Sequence, residues 1–132
     1  MSEPVAFGYA FNRTRRQYLA TRMATAGTPW TRLRGLLGTD RNNFVQGRGL
    51  WIVPSRGVHT LGMSFPIDVV YLTKGNIVVH LEHCLRPWRF APIRISAASV
   101  LELPENTLRS TGTTIGDELD IDPHHPGEPR PA

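Results

Sequence analysis

Pro66-Ile67-Asp68-Val69-Val70-Tyr71-Leu72-Thr73-Lys74-Gly75-Asn76-Ile77-Val78-Val79-His80-Leu81-Glu82 is the stretch whose reading decides the fold. Two runs rich in β-branched residues, Ile67 to Leu72 and Ile77 to Glu82, flank Thr73-Lys74-Gly75-Asn76. Such side chains pack well on a pleated surface, and a short polar segment with glycine closes a tight turn, so the stretch predicts a β-hairpin. Side chains alternate along a strand. Asp68 therefore shares a face with Val70 and Leu72 and opposes Ile67, Val69 and Tyr71. A carboxylate on an apolar face needs a partner, and the amides of the loop near His59, then Arg34, are the expected ones.

Working outward, Gly49 to Val53 is an apolar run closed by Pro54, and Val100 to Leu103 and Glu118 to Ile121 are further strand candidates. Tyr18 to Ala26 fits either period. One segment reads as helix: Thr28 suits an N-cap, Pro29 the first helical position, and Gly38 a left-handed end. Trp30, Leu33, Leu36 and Leu37 then form an apolar stripe over 29–37. The expected fold is mostly β (β-rich α+β), a small barrel-like single domain over residues 1–122 with one or two short helices. Residues 123–132 hold four prolines and no apolar pattern, which predicts a tail outside the domain.

At 132 residues and 40% hydrophobic, the chain is long enough to bury a core without metal or disulfides. Its single cysteine, Cys84, excludes a disulfide scaffold and a cysteine-rich zinc site. No apolar run approaches the roughly 18 residues of a membrane span, and the N-terminus lacks a signal-like apolar stretch, so the cytoplasm is the expected location. Residues 1–56 hold nine arginines against Glu3 and Asp40, whereas residues 57–132 hold six bases against nine acids. A basic half can attract polyanions, but no block of like charge marks a nucleic-acid arm.

Among candidate chemical groups, His59 and Asp68 at the start of a strand form a possible acid/base pair, and Glu102, opposite its leucine neighbours, a possible second carboxylate. Each also has a plain structural reading: Asp68 fastening a loop, His59 a satisfied polar group, Glu102 an exposed strand residue. His80 and His83, three apart on a strand, point to opposite faces and cannot both reach one ion, and His124 and His125 lie in the tail. No metal site and no cofactor are expected. Nucleophile-elbow, phosphate-loop and dinucleotide motifs are absent from the sequence.

Arg34-Gly35-Leu36-Leu37-Gly38, Gly49-Leu50-Trp51-Ile52-Val53-Pro54, Val58-His59-Thr60 with Met63, Pro66-Ile67-Asp68-Val69-Val70-Tyr71-Leu72, Val100-Leu101-Glu102-Leu103 and Gly116-Asp117 occur in that order. Together they resemble the domain of unknown function 192 family, in its histidine-threonine branch, over about residues 15–121. The resemblance implies a mostly β, barrel-type domain of bacteria and archaea and supplies no established activity. Carried over by position, it marks Arg34, Gly35, Leu36, Met63, Pro66, Asp68, Glu102, Gly116 and Asp117. Gly62 departs from the bulky aromatic often found before the methionine.

The leading functional expectation is a noncatalytic binding or accessory domain that uses Arg34, His59, Thr60, Met63 and Asp68 toward a small molecule or protein. A small hydrolase or lyase using His59, Asp68 and Glu102 is the alternative; it requires the three to converge on one substrate position. A third reading is weak nucleic-acid contact through Arg13, Arg15, Arg16 and Arg22, with Tyr9, Phe11 and Tyr18 as stacking groups. Charge without a groove-reading motif predicts only weak, steeply salt-dependent affinity for DNA or RNA in a filter-binding titration; a sequence-specific complex that survives moderate salt would contradict it.

Overall fold

The hairpin forms around a tight turn. Asn76 takes a left-handed φ of 64°, its amide donates to Thr73 O at 2.9 Å, and Thr73 N donates to Ile77 O at 3.0 Å. In the computed structural model, which describes residues 7–124, the elements run β1 (Gly8–Asn12), β2 (Gln17–Ala26), α1 (Pro29–Arg34), β3 (Arg48–Ile52), β4 (Ile67–Leu72), β5 (Val78–Leu85), β6 (Ser99–Pro104), α2 (Thr107–Thr111) and β7 (Leu119–Asp122). A 3-10 turn spans Arg41–Asn43. The expected tail, from residue 125 on, lies outside the described residues, as do residues 1–6.

The strands form one sheet in the order β5-β4-β6-β3-β2-β1-β7. Every neighbouring pair is antiparallel except β2 and β3, which are parallel. Irregular register in β1–β2 and β4–β5 adds local twist. The sheet curls until its two edges touch at one end, where Ile77 bridges Glu118 and Val78 N and Leu119 N donate across the seam at 2.9 Å. This is the mostly β, barrel-like domain that the sequence predicts.

Alternation in β4 builds two cores. Val70 and Leu72 meet Leu101, Leu103, Val78 and Leu119, residues drawn from both edges and therefore inside the curl. Ile67, Val69 and Tyr71 face outward with Ile52 and Val100, and the loops cover them with Leu36, Phe44, Met63 and Phe65. Tyr18 to Ala26, open to either reading from sequence, is strand, and β1 is a strand that the sequence patterns did not single out.

The expected helix over 29–37 is shorter than its apolar stripe. Thr28 and Thr31 form a capping box, but α1 stops at Arg34 because Gly35 turns to φ 50°. Trp30 and Leu33 stay 68% and 64% exposed, and only Leu36, beyond the helix end, joins the core. A second short helix, α2, runs between left-handed Asn106 and Gly112.

Asp68 is fully buried within the curl, as alternation requires. Its partners differ from expectation. Oδ1 accepts from Cys84 N and Oδ2 from Leu108 N, both at 2.9 Å, in place of the loop near His59 or Arg34. The physical reason lies in two spare donors. Cys84 has a positive φ of 50°, beside the β4–β5 irregularity, and Leu108 N sits in the first turn of α2, where no backbone acceptor is available. Asn106 makes no side-chain cap bond, so Asp68 acts as the cap from a neighbouring strand. Asp68→Ala is expected to cost about 1–3 kcal/mol for each amide left unpaired. Asp68→Asn can accept from only one of the two and should also destabilise. Urea melts of both variants check this, and a wild-type midpoint for Asp68→Ala would contradict it.

Candidate functional site

A cleft of about 390 Å³ opens between α1 and the loop after β3. Pro29, Arg32, Leu33, Arg34 and Gly35 form one wall, Pro54, Ser55, Gly57, Val58 and His59 the other, and Ile52 and Glu102 the floor. Arg32 Nη1 donates to Pro54 O at 3.0 Å and ties the walls together. The loop wall is braced by Ser55, whose hydroxyl donates to Gly57 O at 2.7 Å and whose amide donates to Ala98 O at 3.0 Å. Gly35 brings the backbone close to the floor: a Cβ there would lie 3.4 Å from Glu102 Oε1.

Glu102 is the unusual group. Its register neighbours are Leu50 and Val69, so it faces the outer core while Leu101 and Leu103 face the inner one. It is 2% exposed, which replaces the exposed strand carboxylate of the plain sequence reading. Oε2 is buried with no hydrogen-bond partner, and burial pushes the carboxyl pKa up to about 8. Desolvation penalises the charged form, so at neutral pH Glu102 is predominantly a neutral acid able to donate a proton in a hydrogen bond. Arg32 Nε, on the adjoining wall, is also buried without a partner.

Of the residues the sequence marked, Arg34, His59 and Glu102 line this cleft. Asp68 does not, because it lies on the opposite face of the sheet with both oxygens engaged. The convergence of His59, Asp68 and Glu102 on one substrate position therefore does not occur. Thr60 and Met63 stand behind the cleft. Thr60 Oγ1 accepts from Arg89 N at 2.9 Å and donates to Arg86 O at 2.6 Å, and Met63 fills the outer core. His59 is half-buried; its Nδ1 accepts from Leu61 N at 3.3 Å and its ring lies 6.4 Å from that of Phe90. Arg32, Leu33 and Ser55 were missed as site residues. The three-residue step from Pro29 to Arg32 was the available signal, since it places both on one side of a short helix.

Gly62 has φ 81°, and a Cβ there would come within 2.5 Å of Leu37 Cδ1, so Leu37 occupies the space a side chain at 62 would need. Asp117, from the glycine-aspartate element, is a structural tie. Burial raises its pKa, but bonds from Asn12 Nδ2, Thr114 N and Arg15 Nε outweigh that and hold it low. Arg13 pairs with Glu118 and Asp120, and Arg22 lies over the Phe7 ring, so much of the basic N-terminal charge is already engaged. Tyr18 packs against Tyr9 and Phe11. His80 packs on Tyr71 and bonds Glu82, apart from exposed His83. Among the described residues no three potential metal ligands cluster, and no helix is long and apolar enough to cross a membrane.

The model of the DUF192 family, described as Uncharacterized ACR, matches residues 10–121. The chain belongs to this family. Two crystal structures share its fold. One, a protein of unknown function from Novosphingobium aromaticivorans DSM 12444, is 17% identical with a TM-score of 0.73, covering 86% of this chain and 82% of that one. The other, described as a proposed transcription regulator from Sinorhizobium meliloti 1021, is 19% identical with a TM-score of 0.74, covering 91% and 98%. No curated protein sequence matches the chain.

The raised pKa of Glu102 has a definite pH signature. Unfolded, the carboxyl ionises near 4.5; folded, near 8. The unfolded chain thus binds fewer protons between these values, and stability should fall as pH rises through that window and then level off. Glu102→Gln removes the titrating carboxyl. Urea melts at several pH values should show the variant gaining on wild type from about pH 5 to about pH 8, whereas parallel curves would contradict the assignment.

Proposed function

We propose that this DUF192 protein is a small noncatalytic binding domain whose cleft takes a small organic acid, an anionic oxygen group on an apolar body. The observation that carries this reading is Glu102, which lines the cleft and whose Oε2 is buried without a partner. A buried polar group without a partner costs free energy, and a ligand acceptor at this position would remove that cost. Arg32 and Arg34 add positive charge to one wall, and among the described residues Glu102 is the only acidic one lining the cleft. An anion is therefore the complementary ligand, held by charge-assisted bonds. Leu33, Ile52, Val58 and the two prolines supply apolar contact for its remainder. Asp68 serves this function only as a support.

Because neutral Glu102 donates and ionised Glu102 repels an anion, affinity should fall as pH rises through about 8. Amide-detected NMR titration with benzoate, acetate and inorganic phosphate tests the reading. Benzoate should bind best of the three and move the amides of Gly35, Ser55, Gly57 and Val58. Arg34→Ala should weaken it roughly tenfold. The pH dependence should vanish in Glu102→Gln. Shifts scattered away from the cleft would contradict the proposal, and turnover of a benzoate ester in the same samples would favour the hydrolase alternative with Glu102 and His59 as its acid and base.

A further inference from the structure

Beside the cleft lies a surface that ligand binding does not explain. The segment after β5 presents Trp88, Phe90, Ile93 and Ile95 at 64%, 73%, 77% and 86% exposure. Small Ala91 and Ala97 turn inward between and after them. These side chains stand on a pinned backbone. Trp88 N and Ala91 N donate to Thr60 O and Val58 O, Arg94 N donates to Arg56 O, all at 2.9 Å, and Tyr71 Oη donates to Pro92 O at 2.6 Å. A soluble surface rarely holds a contiguous group of large apolar side chains rigidly toward water unless something covers them.

The charge around them narrows what that is. No acidic residue occurs between Glu82 and Glu102, whereas Arg86, Arg89 and Arg94 interleave with the apolar side chains. Arg56 joins them from the loop bonded alongside, and all four arginines are exposed. The patch continues to the cleft: Phe90 bridges His59 on its wall, and Leu33, 64% exposed, stands on the wall opposite. We propose that this face seats on an anionic phospholipid surface.

Three physical points favour a bilayer over other occupants. A second copy would bring the same arginines face to face, since a twofold contact pairs a patch with itself; residues 83–101 carry no acid, and the neighbouring Glu82 is already paired with His80. Nucleic acid would use Trp88 and Phe90 for stacking but would leave Ile93 and Ile95, the most exposed of the four, against water. An acidic bilayer accommodates all of them. The isoleucines enter the acyl boundary, the aromatic rings sit at headgroup level, and arginine heads reach the phosphates while their stems stay apolar. Seated this way the cleft mouth opens beside the membrane surface.

Co-sedimentation of the full chain with phosphatidylglycerol and with phosphatidylcholine vesicles tests this, with tryptophan emission as a second readout. Binding to phosphatidylglycerol should exceed that to phosphatidylcholine by about tenfold or more and shift the emission to the blue. The double variant Ile93→Ser/Ile95→Ser should lose the binding and the shift while melting at the wild-type temperature, and Arg89→Glu/Arg94→Glu should lose the preference for the anionic lipid. No vesicle binding, equal binding to both lipids, a stable dimer that buries Trp88, or capture of single-stranded RNA in place of vesicles would each overturn the proposal. None of these results depends on whether benzoate binds the cleft.

Discussion

The alternation of side chains across β4 and β6 is the constraint on which the rest of this structure depends. Because neighbouring residues of a strand face opposite ways, two carboxyls in one sheet are assigned to separate interiors: Asp68 to the inside of the curl and Glu102 to the outer core beneath α1. Their chemical situations diverge from that point. Asp68 meets two amide donors with no backbone acceptor and becomes the tie that joins β4, β5 and α2. Glu102 meets an apolar floor and an open cleft, and its Oε2 is left without a partner.

A buried carboxyl with no partner opposes folding, and a hydrophobic side chain of similar size at 102 would pack there at less cost. That a polar group stands at such a position is a physical reason to look for what completes it. The surroundings supply the rest of the recognition: two arginines on one wall, an imidazole on the other, and a glycine at 35 whose missing Cβ leaves the floor open. The supports lie one layer behind. Thr60 locks the 86–89 segment against the His59 loop, and Met63 packs beneath, so the histidine-threonine pair divides its labour between cleft wall and brace.

Much of the fold was legible. The hairpin followed from β-branched runs around Gly75-Asn76, and the face of Asp68 from simple alternation, because both depend on neighbours in sequence. The length of α1 was not, since Gly35 breaks the helix at the point where it approaches Glu102, a contact 67 residues away. For the same reason the apolar stripe from Trp30 to Leu37 misled: periodicity marks a face but not whether anything packs on it. The site was half legible. Arg34, His59 and Glu102 were marked and come together, but Asp68 was grouped with Glu102 because sequence spacing does not say which strands are neighbours or which faces they share. Its real partners, the amides of Cys84 and Leu108, carry no side-chain signature at all.

At neutral pH the cleft floor holds a carboxyl that is predominantly in its neutral, acid form. A ¹³C-detected NMR titration of the Glu102 side-chain carboxyl reads this directly in the native protein. A midpoint near 8 is expected, far above the ordinary value of 4.5. A midpoint in the ordinary carboxylate range would mean that the group is solvated or paired in the native protein, and would contradict the account of the site built on it.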